Sequence, residues 1–441
     1  MIRDLLSFPS LRESTICLYD IDAARNARTA TTAAEIVQRL SLPTTLTATT
    51  DREEALRGAD FCICTFQVGG IEAYGYDVTI PREYGIDQCV GDSFGPGGIF
   101  RGLGSIAALR VIAADIHRLC PDALFIQYAN PMAINCWAMS RLGISNVGLC
   151  HSVQGTSRML AEEMDLRYEE CSFTCAGLNH QAWFIDFRHR GKDVMPRLRQ
   201  AMYSRHVEHA PDPESFATRD DGDDADDLHA HRYERVRAEI MRLSGYFHTE
   251  SSAHASEYLA YFRKSPESVY EYQPRRWDYY EICNAHDPQA RAREVVDEVV
   301  AEGLLLSHEY GAQIVDSMVT GEPRLIHGSV PNAGIIANLP PNCSVEVPVF
   351  VDRQGLRPQV IGELPPACAA VSRLLANQVE LAVESALGHD RDLLYAAVAI
   401  DPLTGAMLTL PQIHEMVDRM LESNAQWLPE YQSRTFVTGA A

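Results

Sequence analysis

The sequence predicts an α/β protein, with a doubly wound parallel sheet first and a mixed α+β domain after it. Three observations predict this. Short apolar runs alternate with helix-compatible stretches through the first 150 residues. Those runs read apolar on both faces, as do strands of a parallel sheet covered on both sides. Beyond residue 150 the alternation gives way to paired strand-like pieces and separate long helices. Taken in order, residues 1–8 read as the body of a helix, and Thr15-Ile16-Cys17-Leu18-Tyr19-Asp20 as a strand ending in acid. A helix is expected over residues 23–40, and a second strand over residues 60–66, stopping at Gly69-Gly70. After a Gly-rich loop, apolar residues at Ile106, Leu109, Ile112, Ala113 and Ile116 give one helix over 99–119. Residues 123–128 form a third strand, Asn130-Pro131 opens a helix to about 142, and 147–150 form a fourth strand. Residues 171–189 hold two strand-like pieces around Gly177-Leu178-Asn179-His180; residues 233–243, 288–307 and 366–387 read as helices. The domain division expected is 1–150 and 151–441.

Composition narrows the function. The 441 residues carry 38 Lys+Arg against 60 Asp+Glu, a net charge of −22. That balance argues against a nucleic-acid partner, whose binding needs a basic stripe. No run of ~18 apolar residues occurs, so no membrane span is expected. The N-terminus lacks the order of a signal peptide, and 12 cysteines are too sparse for a disulfide scaffold. A cytoplasmic protein with free thiols is expected. The acidic run at 219–227 does not space its carboxylates as a Ca²⁺ loop does, and reads as a solvated surface loop.

A Rossmann-like sheet ends its second strand in an acid for the adenosine ribose, ~20 residues after a Gly-rich phosphate turn. Asp20 and Asp22 sit where that acid should be, although they equally suit a plain acidic turn. Counting back ~20 residues from Asp20 reaches Met1, so the first strand and its glycine turn are expected to be missing. The expectation that follows is weak NAD binding by this form, from a truncation or a misplaced start. Gly102-Leu103-Gly104-Ser105-Ile106-Ala107 fits a phosphate-loop pattern but lies inside a helical stretch, where small residues serve close packing. Val68-Gly69-Gly70, at the carboxyl end of a strand, is a second cofactor candidate.

Cys150 and His180 follow strand-like segments and suit a divalent metal with coordination positions left open for ligand oxygens. Buried packing is the alternative for both. The Cys62/Cys64 and Cys171/Cys175 pairs read as packing.

Asn130-Pro131-Met132, Cys150-His151-Ser152-Val153-Gln154, Gly177-Leu178-Asn179-His180 and Thr249-Glu250-Ser251-Ser252 with Ser256-Glu257-Tyr258 occur in order. With Leu5-Leu6-Ser7-Phe8-Pro9 and Gly95-Pro96-Gly97-Gly98-Ile99-Phe100-Arg101, this set resembles family 4 glycoside hydrolases, nearest the α-galactosidase branch. The family is an NAD-dependent exception to two-carboxylate glycosidases. The resemblance implies a lactate/malate dehydrogenase-like architecture, bound NAD and a divalent metal, Mn²⁺ first. It implies α-glycoside hydrolysis in which NAD⁺ oxidises the sugar at C3, C2 is deprotonated, the C1 group leaves, water adds and the hydride returns. It implies Cys150 and His180 as metal ligands, Tyr258 as the C2 base and His151 as the acid. Asn130, Asn179 and Arg263 would serve the sugar, with Arg263 also favouring the Tyr258 anion. A homo-oligomer, dimer or tetramer, is inherited from the family. The competing readings are an α-glucosidase or α-glucuronidase of the same family, an NAD-dependent 2-hydroxyacid dehydrogenase, and an inactive remnant.

Overall fold

The computed structural model describes residues 1–217, 233–285 and 288–432, so the acidic run at 219–227 lies outside the described residues. Two short parallel strands come first, β1 (Thr15–Tyr19) and β2 (Thr45–Thr49), in register from Thr15↔Thr45 to Tyr19↔Thr49. The helix Ala23–Arg39 connects them, as a parallel crossover requires. The strands β3 (Phe61–Cys64), β4 (Leu124–Gln127) and β5 (Asn146–Gly148) then pair in parallel, with the helices Gly95–Leu119 and Met132–Arg141 as crossovers.

The second half extends the same sheet. Its strands are β6 (Cys171–Leu178), β7 (Gln181–His189), β8 (Lys192–Asp193), β9 (Phe247–His248), β10 (Arg324–Pro331), β11 (Ser344–Asp352) and β12 (Gly355–Pro358). The order is β3-β4-β5-β10-β11-β6-β7-β8, with β9 on β7 and β12 on β11. β10 joins β5 antiparallel through Ser329↔Gly148, and β11 joins β6 through Glu346↔Gly177. One sheet therefore crosses residue 150. β1 and β2 form a sheet of their own, and among the described residues no strand links β1 to β3.

The principal core follows the sheet across both halves. Ile99, Phe100 and Leu103 from the long helix meet Ile134 and Trp137, Val347 and Val349 of β11, and Leu375 and Val379 of the helix Pro366–Gly388. Each such burial contributes roughly 1.5–3 kcal/mol. The indole of the fully buried Trp183 donates to Ser372 Oγ at 3.1 Å, so its one polar atom is satisfied. No described helix is long and apolar enough to cross a membrane.

Three elements differ from expectation. β2 reads Thr-Leu-Thr-Ala-Thr, an exposed strand whose threonines favour extended backbone without giving an apolar run. Residues 70–83 are a helix, not part of a loop, despite Gly75 and Pro81 inside it. The long helix starts at Gly95, four residues before the apolar periodicity begins, with Pro96 in its first turn. Gly102 lies within that helix, where a Cβ would come 2.9 Å from Ile134, so the small residue serves helix packing.

Candidate metal and catalytic site

The hairpin β6–β7 sets the site's first corner. Leu178 pairs with Gln181, leaving Asn179-His180 as a two-residue turn. Such tight turns call for positive φ, and His180 adopts 64°, which costs a non-glycine residue energy. At Gly177 a Cβ would lie 2.6 Å from the Gln181 carbonyl oxygen, so only glycine fits there. The turn delivers His180 Nε2 to 3.3 Å from Cys150 Sγ, two residues beyond the end of β5.

A third group converges on this pair. β9 pairs with β7 through Trp183↔His248, and the Thr249 N–H prolongs the pairing by donating to the Ala182 carbonyl at 2.7 Å. The chain then turns at Glu250, whose φ is 72°. Glu250 Oε2 stands 3.3 Å from His180 Nε2 and 4.0 Å from Cys150 Sγ. Ser251 caps the helix Ser252–Tyr258, which presents His254 and Tyr258 on one face, a turn apart. His254 Nδ1 lies 3.4 Å from Glu250 Oε1, and Tyr258 OH lies 3.2 Å from His180 Nδ1. The Tyr258 ring stands edge-on to Phe94, 4.8 Å between centroids.

The loop at 89–93 closes the other side. Glu257 accepts the backbone N–H groups of Cys89, Val90 and Gly91 at 2.5, 2.7 and 3.0 Å, which fixes the loop's path. Ser93 donates to Asp92 Oδ1 at 2.7 Å, and its Oγ is 2.8 Å from His180 Nδ1. Since that hydroxyl gives its proton to Asp92, the natural partner is a His180 Nδ1–H, and Nε2 is the nitrogen that faces Cys150 and Glu250. Asn130 Nδ2 donates to the other Asp92 oxygen at 2.9 Å. Asp92 thereby ties Asn130 to the histidine. The glycines at 97 and 98 let the loop lie on the long helix. A Cβ at Gly98 would sit 2.4 Å from the Ser93 carbonyl carbon. Gly98→Ala is expected to cost ~1–3 kcal/mol and displace Ser93. Thermal melting of the variant checks this, and an unchanged transition would contradict it.

The charges are strongly coupled. Burial pushes the Cys150 thiol up, but the His180 imidazole outweighs it and holds the thiol below its usual range. Burial also opposes a charged His180, yet Glu250 and Cys150 raise it. Burial opposes the Glu250 carboxylate too, and His254 and His180 hold it ionised. Tyr258 goes the other way: burial first, then Glu250 and Asp92, pushes its phenol well above the ordinary range. Two donor sets could hold one ion among the described residues, Cys150/His180/Glu250 and Asp92/His180/His254.

The remaining expected residues have these places. His151 turns its largely exposed imidazole onto Glu309, Nε2 to Oε1 2.6 Å, and that bond raises it to about 9. Asn179 Nδ2 faces Glu346 Oε1 at 3.4 Å. Asp22 caps the helix Ala23–Arg39, accepting from Ala24 N at 2.9 Å and Arg25 N at 3.1 Å. Asp20 ends β1 and pairs with Arg25, Oδ2 to Nε 2.6 Å. Gly69 and Gly70, at φ 72° and 55°, follow Val68 and open the helix Gly70–Glu83. A Cβ at Gly69 would meet Ala73 at 2.4 Å and Trp427 at 2.9 Å. Arg263 is a correction. It is buried on Ser256 Oγ at 2.7 Å, Asp87 Oδ2 at 3.1 Å and Cys89 Sγ at 3.0 Å. No described contact joins it to Tyr258 or Asn130; its donors are spent bracing the 87–89 loop.

Glu250, His254, Asp92 and Ser93 were not singled out by the sequence reading. For His254 a signal existed, one helical turn before Tyr258; Glu250 stood in the Thr249–Ser252 motif without a role of its own.

Comparison with known proteins shows the family. The model of the family 4 glycosyl hydrolases matches residues 1–166, and that of the family 4 glycosyl hydrolase C-terminal domain matches 175–404. The chain is 34% identical to an alpha-galactosidase of Rhizobium meliloti, over 98% of this chain and 86% of that one. It is 33% identical to an alpha-galactosidase of Bacillus subtilis, over 98% and 96%. A solved 6-phospho-alpha-glucosidase from gut microorganisms, in complex with NAD and Mn²⁺, superposes with a TM-score of 0.75. That match is 20% identical and covers 97% of this chain and 94% of the other, so it shows the fold.

Proposed function

The chain belongs to the family 4 glycosyl hydrolases, and from that premise we propose an NAD- and metal-dependent α-galactosidase that works by deprotonating the sugar at C2. The observation that carries it is the convergence of Cys150 and His180 with the Tyr258 hydroxyl 3.2 Å from His180 Nδ1. The two relatives at 33% and 34% identity, both alpha-galactosidases, support the sugar.

The residues fit the metal: a thiolate and an imidazole nitrogen, both within reach of one point, suit a divalent ion. Asp20 and Asp22 after β1 and Val68-Gly69-Gly70 after β3 are the residues that would hold NAD, although β1 and β3 lie in separate sheets, no described strand stands between them, and Asp20 is paired with Arg25. When bound, NAD supplies a hydride acceptor for the sugar and the divalent ion a Lewis acid for its vicinal oxygens.

The chain's own residues do the rest. Tyr258 takes the C2 proton. Burial first, and then its carboxylate neighbours, hold the phenol neutral, so a cation held by Cys150 and His180 would favour its anion. Asn130, oriented by Asp92, donates toward sugar hydroxyls beside the cluster, with Asn179 next to His180 in the same turn. His151, which follows Cys150 directly and is held protonated at neutral pH by Glu309, is the proton donor in this reading.

The assay is hydrolysis of a nitrophenyl α-galactoside by purified protein with NAD⁺, Mn²⁺ and reductant. Activity should vanish on chelation and return with Mn²⁺. Faster cleavage of the matching α-glucoside or uronide would overturn the sugar; full activity after exhaustive chelation would overturn the metal.

A further inference from the structure

We infer that Glu250 is a third protein ligand of the metal, completing a Cys150–His180–Glu250 triad; this rests on the metal-dependent reading above.

The donor triangle has the right size. Its edges are 3.3 Å from Cys150 Sγ to His180 Nε2, 3.3 Å from His180 Nε2 to Glu250 Oε2, and 4.0 Å from Glu250 Oε2 to Cys150 Sγ. Ligand atoms ~2.0–2.3 Å from one ion stand ~2.8–3.3 Å apart at right angles and ~3.3–3.8 Å apart at tetrahedral angles. The observed edges span that range to within a few tenths of an ångström. One ion therefore reaches all three atoms with little rearrangement.

The backbone is bent to make this triangle. His180 and Glu250, at φ 64° and 72°, are two of the few described non-glycine residues in the left-handed region. Such conformations cost on the order of 1–3 kcal/mol each and collect at functional sites. Glu250 is also divided in its duties: Oε1 faces His254 Nδ1 at 3.4 Å and Ser251 N at 3.1 Å, while Oε2 faces the cluster. A carboxylate oriented by a histidine and a backbone N–H through one oxygen, and free to ligate through the other, is a common arrangement around metals.

Charge and chemistry agree. Thiolate and carboxylate together carry two negative charges in a site where His180 and Glu250 are 2% and 7% exposed. A dication offsets these two charges and so reduces the cost of burying them. Carboxylate oxygen is the hard donor that Mn²⁺ prefers, whereas thiolate and imidazole alone suit Zn²⁺. Three protein ligands leave further positions open for a pair of sugar oxygens.

The test is Mn²⁺ and Zn²⁺ titration of the full chain, by calorimetry and by the EPR signal of free Mn²⁺, in wild type and Glu250→Gln. Losing the groups that merely orient ligands costs ~10–100-fold in affinity, so losing a ligand should cost about 100-fold or more for Mn²⁺. The loss for Zn²⁺ should be smaller. A Mn²⁺ loss below tenfold in a variant that melts like wild type overturns the inference. If Glu250→Gln does not fold, the anomalous signal of Mn²⁺ in wild-type crystals decides instead. An ion bonded to Glu250 Oε2 supports the triad; an ion bonded to Asp92 and His254, or to Cys150 and His180 alone, overturns it. A wild type that cleaves α-galactosides yet binds no divalent ion overturns the metal reading and this inference together. Intact Mn²⁺ binding in Glu250→Gln overturns this inference alone.

Discussion

Cys150→Ser is expected to lower Mn²⁺ affinity by more than about 100-fold and to remove activity at ordinary metal concentrations. The thiol at 150 is held below its usual range by His180, against the push of burial, so it is the readily ionised donor of the cluster. A serine hydroxyl at the same place keeps its proton and offers only a weak neutral oxygen. The same chemistry makes the wild type sensitive to oxidants. Brief peroxide treatment should abolish Mn²⁺ binding, and thiol reductant should restore it while oxidation has stopped at the sulfenic acid. Cys64, Cys136 and Cys175 are buried, and burial raises their thiols, which leaves them slower to react. Calorimetry before and after treatment, alongside the nitrophenyl galactoside assay, reads both effects. Unchanged metal binding in Cys150→Ser would remove this residue from the site.

Tyr258→Phe should lower kcat by ~10²–10⁴ with little change in KM, because it deletes a proton acceptor and keeps the ring. The ring's edge-on contact with Phe94 survives the substitution, and so does most of the buried volume. What is lost is the hydroxyl 3.2 Å from His180 Nδ1. A raised KM with kcat intact would make Tyr258 a binding group; a collapsed melting transition would make it a core residue.

The sequence was most legible where physics was local. β4 announced itself because a strand buried on both faces is a continuous apolar run, as Leu124–Gln127 shows, while β3 is half-buried and was legible from its β-prone apolar residues. β2 did not, since its alternating threonines face solvent. The helix Gly70–Glu83 and the start of the helix at Gly95 were hidden by glycine and proline. Those glycines answer to neighbours distant in sequence: Gly75 to Tyr280 and Gly97 to the Asp77 carbonyl oxygen. Propensity reports the backbone's preference and is silent about what packs against it.

The site shows the same division. Cys150, His180 and Tyr258 were readable as an ordered set of motifs, and the structure brings these three into contact. His254 follows from helical spacing once Tyr258 is chosen, whereas Glu250 reaches the cluster through the left-handed turn before the helix. Asp92 and Ser93 carry no local mark. Their importance lies in hydrogen bonds to Asn130 and His180, remote positions joined only by the fold. Arg263 is the converse case. A cation near Tyr258 in sequence seemed suited to its anion, but the chain after Tyr258 leads it to Asp87 instead.

The central claim is that hydrolysis passes through removal of the C2 proton, and solvent deuterium tests it most directly. Purified wild type, with NAD⁺ and Mn²⁺, should be run on an α-galactoside in D₂O and the released sugar examined by proton NMR. Deuterium at C2 of the product, with a correspondingly diminished C2 proton signal, is the predicted result. Released galactose with a fully protonated C2 would contradict the account and return the reaction to ordinary acid–base hydrolysis.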